Sequence, residues 1–209
     1  MAERDANGYP VLPPRPTLPK LRVVSQECRG CDLWQRGTQT VFGEGTRAAR
    51  ILFVGEQPGD KEDLAGRPFV GPAGRLFDEA LAAAGIDRGS VYVTNAVKHF
   101  KWRPSGKRRL HEKPNAAEVA ACSFWLELEL RLVKPDLIVA LGATAAQALL
   151  GRAFRITRDG GKVLDSPSGH VLATAHPSSI LRAPDDVARR EGVRRLVADL
   201  KTAARALRS

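Results

Sequence analysis

The stretch Ile51-Leu52-Phe53-Val54-Gly55-Glu56-Gln57-Pro58-Gly59-Asp60 decides how this chain is read. Its first four residues are apolar without alternation, the pattern of a strand covered on both faces in a parallel sheet. Its last six hold two glycines, a proline and two carboxylates, the composition of a sharp turn that can carry polar groups. Three more short apolar runs occur further along: Val91-Tyr92-Val93-Thr94, Leu137-Ile138-Val139-Ala140-Leu141 and Val171-Leu172-Ala173-Thr174.

Helical spacing fills the intervals. Leu76, Phe77, Ala80, Leu81 and Ala84 form one stripe, with Gly85 where a C-cap belongs. Asn115 and Glu118 have the spacing of a capping box that opens a helix running to about Val133. A third helix begins after Gly142, and a fourth, amphipathic through Val193, Leu196, Val197 and Leu200, starts near Pro184. Strands alternating with helices predict an α/β fold: a three-layer α/β/α sandwich with a central, mostly parallel four-stranded sheet. Residues 154–170, with Asp159-Gly160-Gly161 at their centre, read as a hairpin before the last strand. Residues 1–20 carry Pro10, Pro13, Pro14, Pro16 and Pro19 and read as a disordered lead, which leaves 21–209 as a single domain.

The 33 Lys and Arg against 23 Asp and Glu give a formal charge of +10, which favours a polyanionic partner such as nucleic acid. No apolar run of about 18 residues and no signal pattern occur, so the expectation is a cytoplasmic protein without a membrane partner. Of the three cysteines, two form Cys28-Arg29-Gly30-Cys31. In a reducing compartment that spacing suits metal or redox chemistry better than a structural disulfide.

Ligands of such sheets bind beyond the carboxyl ends of the strands. After the first strand stands the Glu56 turn; after the second come Asn95, Lys98, His99 and the basic loop Gly106-Lys107-Arg108-Arg109-Leu110-His111; after the third Gly142-Ala143-Thr144; after the fourth His176-Pro177-Ser178-Ser179. Taken singly, glycine turns are connectors, a charge run is a solvated face, and a histidine after a strand is more often structural. Acid, amide, imidazole and hydroxyl groups gathered at four strand ends are more informative. A passive single-strand binder would need aromatics and cations more than Glu56, Asn95 and His176.

Gly55-Glu56-Gln57-Pro58-Gly59, Gly66-Arg67-Pro68-Phe69-Val70-Gly71-Pro72-Ala73-Gly74, Asn95-Ala96-Val97-Lys98 and His176-Pro177-Ser178 resemble, in order, the motifs of the uracil-DNA glycosylase superfamily, specifically its iron–sulfur family 4 branch. The likeness runs from about Cys28 to the C-terminal helix. Three departures are similar to the UdgX group: Gln57 at a position where family 4 carries a small residue, the inserted loop from Lys107 to His111, and His99 in place of a cysteine. The group's loop reads Lys-Arg-Arg-Ile-His, and Leu110 here replaces the isoleucine.

The resemblance implies an enzyme that excises uracil from DNA and stays covalently attached to the abasic sugar through His111; a conventional multiple-turnover glycosylase is the alternative. It implies Phe69 stacked on a flipped uracil, Asn95 reading O4 and N3–H, and His176 donating to O2, with Gly55 and Gln57 in the substrate turn. Glu56 would orient His111 and, with Asp60, would favour the cationic sugar. Lys107, Arg108 and Arg109 would contact phosphates; Ser178, Leu181 and Arg182 would contact DNA, with Leu181 or Arg182 filling the space of the flipped base. Cys28, Cys31, His99 and Cys122 would hold a [4Fe–4S] cluster, with zinc the chemically sound rival. The expected partner is uracil-containing DNA, single strands preferred, and the expected state is a monomer.

Overall fold

Successive side chains of a strand point to opposite faces, so an unbroken apolar run requires a core on each side. The computed structural model, which describes residues 3–207, meets that requirement. In chain order the elements are α1 (Leu18–Ser25), β1 (Glu44–Gly45), β2 (Ile51–Gly55), α2 (Asp60–Ala65), α3 (Pro72–Ala84), β3 (Tyr92–Asn95), β4 (Trp102–Ser105), β5 (Arg108–His111), α4 (Ala116–Val133), β6 (Leu137–Leu141), α5 (Ala143–Leu150), α6 (Ile156–Asp159), β7 (Val163–Ser166), β8 (Gly169–Thr174), α7 (Pro177–Leu181) and α8 (Asp186–Ala206). Leu52 and Val54 of β2 join a core with Trp125 and Leu126 of α4 and Ala145 of α5. Ile51 and Phe53 join a second core with Phe77 and Leu81 of α3 and Leu196 and Leu200 of α8. Helices thus cover both faces of a mostly parallel sheet.

The sheet has six strands in the order β1-β3-β2-β6-β8-β7, which corrects the expected four. The four apolar runs are its parallel centre, β3-β2-β6-β8. Antiparallel β1 and β7 close the edges. They escape a sequence reading because β1 is two residues long and β7 is half exposed, so neither carries an apolar run. The hairpin expected at residues 154–170 is present as β7–β8, but it turns between Ser166 and Gly169. Asp159 instead ends the short helix α6.

The helix signals act where they stand. Gly85 caps α3 with a left-handed φ of 74°. Asn115 accepts from Glu118 N while Glu118 Oε2 accepts from Asn115 N, opening α4. The proline-rich lead differs from its reading as disordered: from Glu3 onward it packs on the domain, with Tyr9 Oη donating to Ala121 O at 2.7 Å and the Tyr9 ring 4.5 Å from Phe124. A Cβ on Gly30 would meet that ring at 2.6 Å, so the lead lies directly over the Cys28–Cys31 segment. Pro19 sits in the first turn of α1, where a missing N–H costs nothing.

From β2 the chain passes outward to β3 and later returns to β6 on the other flank of β2. The reversal of winding therefore falls at the carboxyl end of β2, where such sheets open a crevice.

Candidate active site

A cavity of about 450 Å³ opens at that reversal point, bounded by Glu56 and Gln57 after β2, Asn95 at the end of β3, Gly142 after β6 and His176 after β8. Phe69 forms an apolar wall at a left-handed φ of 59°, a conformation that costs a non-glycine residue energy and clusters at functional sites. Its ring is inclined 28° to the His176 ring, with 6.2 Å between centroids. Gly55 makes room for both neighbours: a Cβ there would stand 2.3 Å from Asn95 Oδ1 and 2.9 Å from Phe69 Cζ.

His176 is oriented by Ser178, two residues along the chain. Ser178 N donates to His176 Nδ1 at 3.1 Å, and the Ser178 hydroxyl lies 2.8 Å from the same nitrogen. An Nδ1 that accepts a backbone N–H leaves the proton of a neutral ring on Nε2. Burial pushes the His176 pKa down to about 4, so the ring is neutral over the physiological range. Ser178, expected at DNA, has its hydroxyl engaged in this orientation instead.

The basic loop is a two-stranded ribbon, β4–β5, separate from the main sheet. Trp102 pairs with His111, and Gly106 takes a left-handed φ of 56° at the tip. Two side chains fasten the ribbon. Gln57 Nε2 donates to Lys101 O at 3.2 Å and Glu112 O at 2.9 Å, while Gln57 Oε1 accepts from Lys101 N at 3.1 Å. Its amide thus ties both feet of the hairpin to the β2 turn, so Gln57, expected to contact substrate, spends its side chain on the ribbon. Arg109 donates to Asp60 Oδ1 and Asp63 Oδ2, each at 2.6 Å, and lies against the Phe100 and Trp102 rings. This corrects two expectations. Arg109 faces the protein rather than a phosphate, and Asp60 anchors the ribbon rather than lining the cavity. Lys107 and Arg108 remain exposed near the tip.

So fastened, His111 Nε2 stands 3.2 Å from Glu56 Oε1. The other carboxylate oxygen, Oε2, accepts from the Thr144 hydroxyl. Burial alone would raise the Glu56 carboxyl; the hydrogen bonds from His111 and Thr144 outweigh it and hold the group below its usual range. Arg182 lines the cavity mouth and is exposed. Leu181 is half-buried against the α3–α8 core, a poorer candidate than Arg182 for entering a base stack. Two residues of the site had no role in the sequence reading. Thr144 carried a signal in its place directly after a strand. Glu62, whose carboxylate accepts from Gly59 N and Gly71 N and so braces the turn, carried one in its spacing from Gly59.

Cys28, Cys31, His99 and Cys122 line a second, narrow cavity. Among the described residues, no group of three or more His, Cys, Asp or Glu side chains is arranged to hold a metal ion, so the expected ligands share a cavity without forming a closed coordination site. The donor set nonetheless suits a soft metal group. Lys98 N donates to Cys122 Sγ at 3.1 Å and Trp125 Nε1 to Cys28 Sγ at 3.2 Å, so two of the three sulfurs accept hydrogen bonds from the scaffold. Burial lowers His99 to about 4, leaving a neutral imidazole, and raises Cys122 to about 12, a thiol that would ionise only beside a cation. Between the two cavities Lys98 and Glu129 form a fully buried ion pair, and Lys98 Nζ also donates to Asn95 O at 2.7 Å.

A doubly wound α/β domain whose strand ends bring an aromatic wall, an amide and a neutral imidazole to one crevice has the lining of a small-molecule or base pocket. Residues 42–201 match the family described as the Uracil DNA glycosylase superfamily. The chain is 42% identical over 175 residues to the type-4 uracil-DNA glycosylase of Thermotoga maritima, covering 81% of this chain and 88% of that protein. It is 39% identical over 171 residues to the type-4 enzyme of Archaeoglobus fulgidus, covering 75% and 79%. To the type-5 uracil-DNA glycosylase of Thermus thermophilus it is 32% identical over 171 residues, covering 72% and 73%. This chain belongs to the uracil-DNA glycosylase superfamily. Among the described residues no helix is long and apolar enough to cross a membrane.

Proposed function

We propose that this protein removes uracil from DNA, single strands preferred, and remains joined to the abasic sugar through His111. The observation that carries the reading is the 3.2 Å contact between His111 Nε2 and Glu56 Oε1 at the edge of the cavity walled by Phe69, Asn95 and His176. A uracil flipped from its stack would lie against Phe69, with the Asn95 amide meeting O4 and N3–H. Cytosine reverses that donor and acceptor pattern and would leave the amide unsatisfied.

As the bond between C1′ and N1 breaks, its electron pair leaves with the uracil, and the Nε2–H of neutral His176 stabilises the charge gathering at O2. The sugar becomes cationic at C1′. The imidazole ring nitrogen opposite Glu56 supplies the pair that forms the new carbon–nitrogen bond, and the proton on the other nitrogen is held by the Glu56 carboxylate. The ring nitrogen takes the place that water holds in hydrolysis, so the product would not turn over. Lys107, Arg108 and Arg182 are left to meet the DNA backbone.

Cys28, Cys31, His99 and Cys122 would hold a [4Fe–4S] cluster, zinc being the alternative group for the same ligands. Its role would be structural, linking the N-terminal segment to β3 and α4. Broad visible absorbance with matching iron and sulfide content would support it, and a colourless zinc-bearing protein would remove it.

The test is a denaturing gel of protein mixed with a uracil-containing single-stranded oligonucleotide and boiled. The expected result is a slower band that survives detergent, is absent with thymine, and is lost in His111→Ser while uracil release continues. An undiminished adduct in that variant would take His111 out of the role. The type-4 names of the relatives favour a second reading, a conventional glycosylase with many turnovers. Free abasic DNA without the band would establish that reading in its place.

A further inference from the structure

We infer that Thr144 is the positioning residue of the Glu56–His111 pair, setting both the orientation and the proton affinity of the carboxylate that acts on the imidazole. The inference rests on the proposed role of His111. A carboxylate turns easily about its last torsion, which is broad and two-fold, so one contact with a half-exposed histidine does not fix it. Glu56 has a second contact on its other oxygen, the Thr144 hydroxyl, and Oε1 is thereby presented to His111 Nε2.

Thr144 is itself held firmly. It is 7% exposed and sits in the first turn of α5, directly after β6. The chain enters that turn through Gly142 at a left-handed φ of 90°, where a Cβ would come within 3.0 Å of His176 Cβ. The turn that carries Thr144 is therefore packed against the residue proposed to receive the leaving base. Glu56 then joins three elements: the turn after β2 carries it, α5 fixes it, and the β5 ribbon receives its effect. The charged and titratable groups sharing its cavity are His111 from β5, His176 before α7, Arg182 after α7 and Glu62 from α2. Glu62 is occupied by the backbone N–H groups of Gly59 and Gly71. The hydroxyl of Thr144 is the neutral donor on the carboxylate, and it favours the ionised form.

The test compares Thr144→Val, which keeps the volume and removes the donor, with Thr144→Ser, which keeps the donor. The rate of adduct formation on a uracil-containing oligonucleotide is measured in single turnover from pH 5 to 8, and the Glu56 carboxyl is titrated by carbon NMR in the free proteins. In Thr144→Val the acid limb is expected to move to higher pH and the rate at pH 5 to fall about tenfold, with recovery toward pH 8. Thr144→Ser is expected to follow the wild type. A valine variant with the wild-type profile and titration overturns the inference, as does a serine variant as impaired as valine. Should the wild type form no adduct, the proposed function fails by itself and the free-protein titration decides alone. A Glu56 carboxyl raised in valine but not in serine supports Thr144, and one unmoved in both overturns it.

Discussion

Replacing Gly55 by alanine should act on uracil recognition by displacing Asn95 and Phe69 rather than by removing either side chain. The added methyl would lie 2.3 Å from Asn95 Oδ1, against an ordinary contact of 3.4 Å or more, so the amide must withdraw by about 1.1 Å. Phe69 Cζ, at 2.9 Å, must yield by about half of that. Misplacement of a positioning group by about 1 Å costs on the order of a hundredfold in rate, while crowding of this kind costs about 1–3 kcal/mol in stability. The assay is single-turnover release of labelled uracil beside a urea melt. The expected result is release slowed roughly a hundredfold in a protein that still folds. In an Asn95→Ala background the same Gly55 substitution should cost far less, because the amide it displaces is gone. A Gly55→Ala enzyme within a few-fold of wild type, or a full additional loss in the Asn95→Ala background, would refute the reasoning.

Arg109→Met should release the ribbon from Asp60 and Asp63, raising hydrogen exchange over residues 102–111 and slowing adduct formation more than uracil release; equal slowing of both would show that the ribbon does more than carry His111. Lys98→Met leaves the Glu129 carboxylate buried without its cation and should cost about 3–5 kcal/mol by denaturant melt; a loss below about 1 kcal/mol would contradict the pairing. His176, held near 4 in the fold against about 6.5 in the unfolded chain, makes the unfolded state the stronger proton binder below pH 6.5. Stability should fall by about 2 kcal/mol from this residue between pH 7 and 5, and His176→Asn should remove that share of the pH slope; an unchanged slope would refute it.

What the sequence made legible was whatever one local rule determines. The four apolar runs are the four parallel strands, and Gly85, Asn115 and Glu118 cap helices where their spacing puts them. Glu56, Asn95 and His176 meet at one cavity because parallel strands bring their ends together, and the separate ribbon adds His111 to them. The remainder depended on partners distant in sequence. Nothing near Arg109 reveals that two aspartates of α2 will take its guanidinium, nor that the Gln57 amide will find backbone groups more than forty residues away. A sequence-local reading assigns free charges to solvent or phosphate, and here it erred where long-range pairing had already used the charge. The lead was misread for a similar reason: its prolines forbid regular structure, yet Tyr9 finds a seat on α4.

The ribbon that bears His111 belongs to neither face of the main sheet and adds no residue to either buried core. The outcome of catalysis and the integrity of the scaffold are thus separable inheritances. Under the role proposed for His111, this arm would decide whether the enzyme recycles or stays on its product, while the two cores that hold the base-binding crevice together would be left as they are.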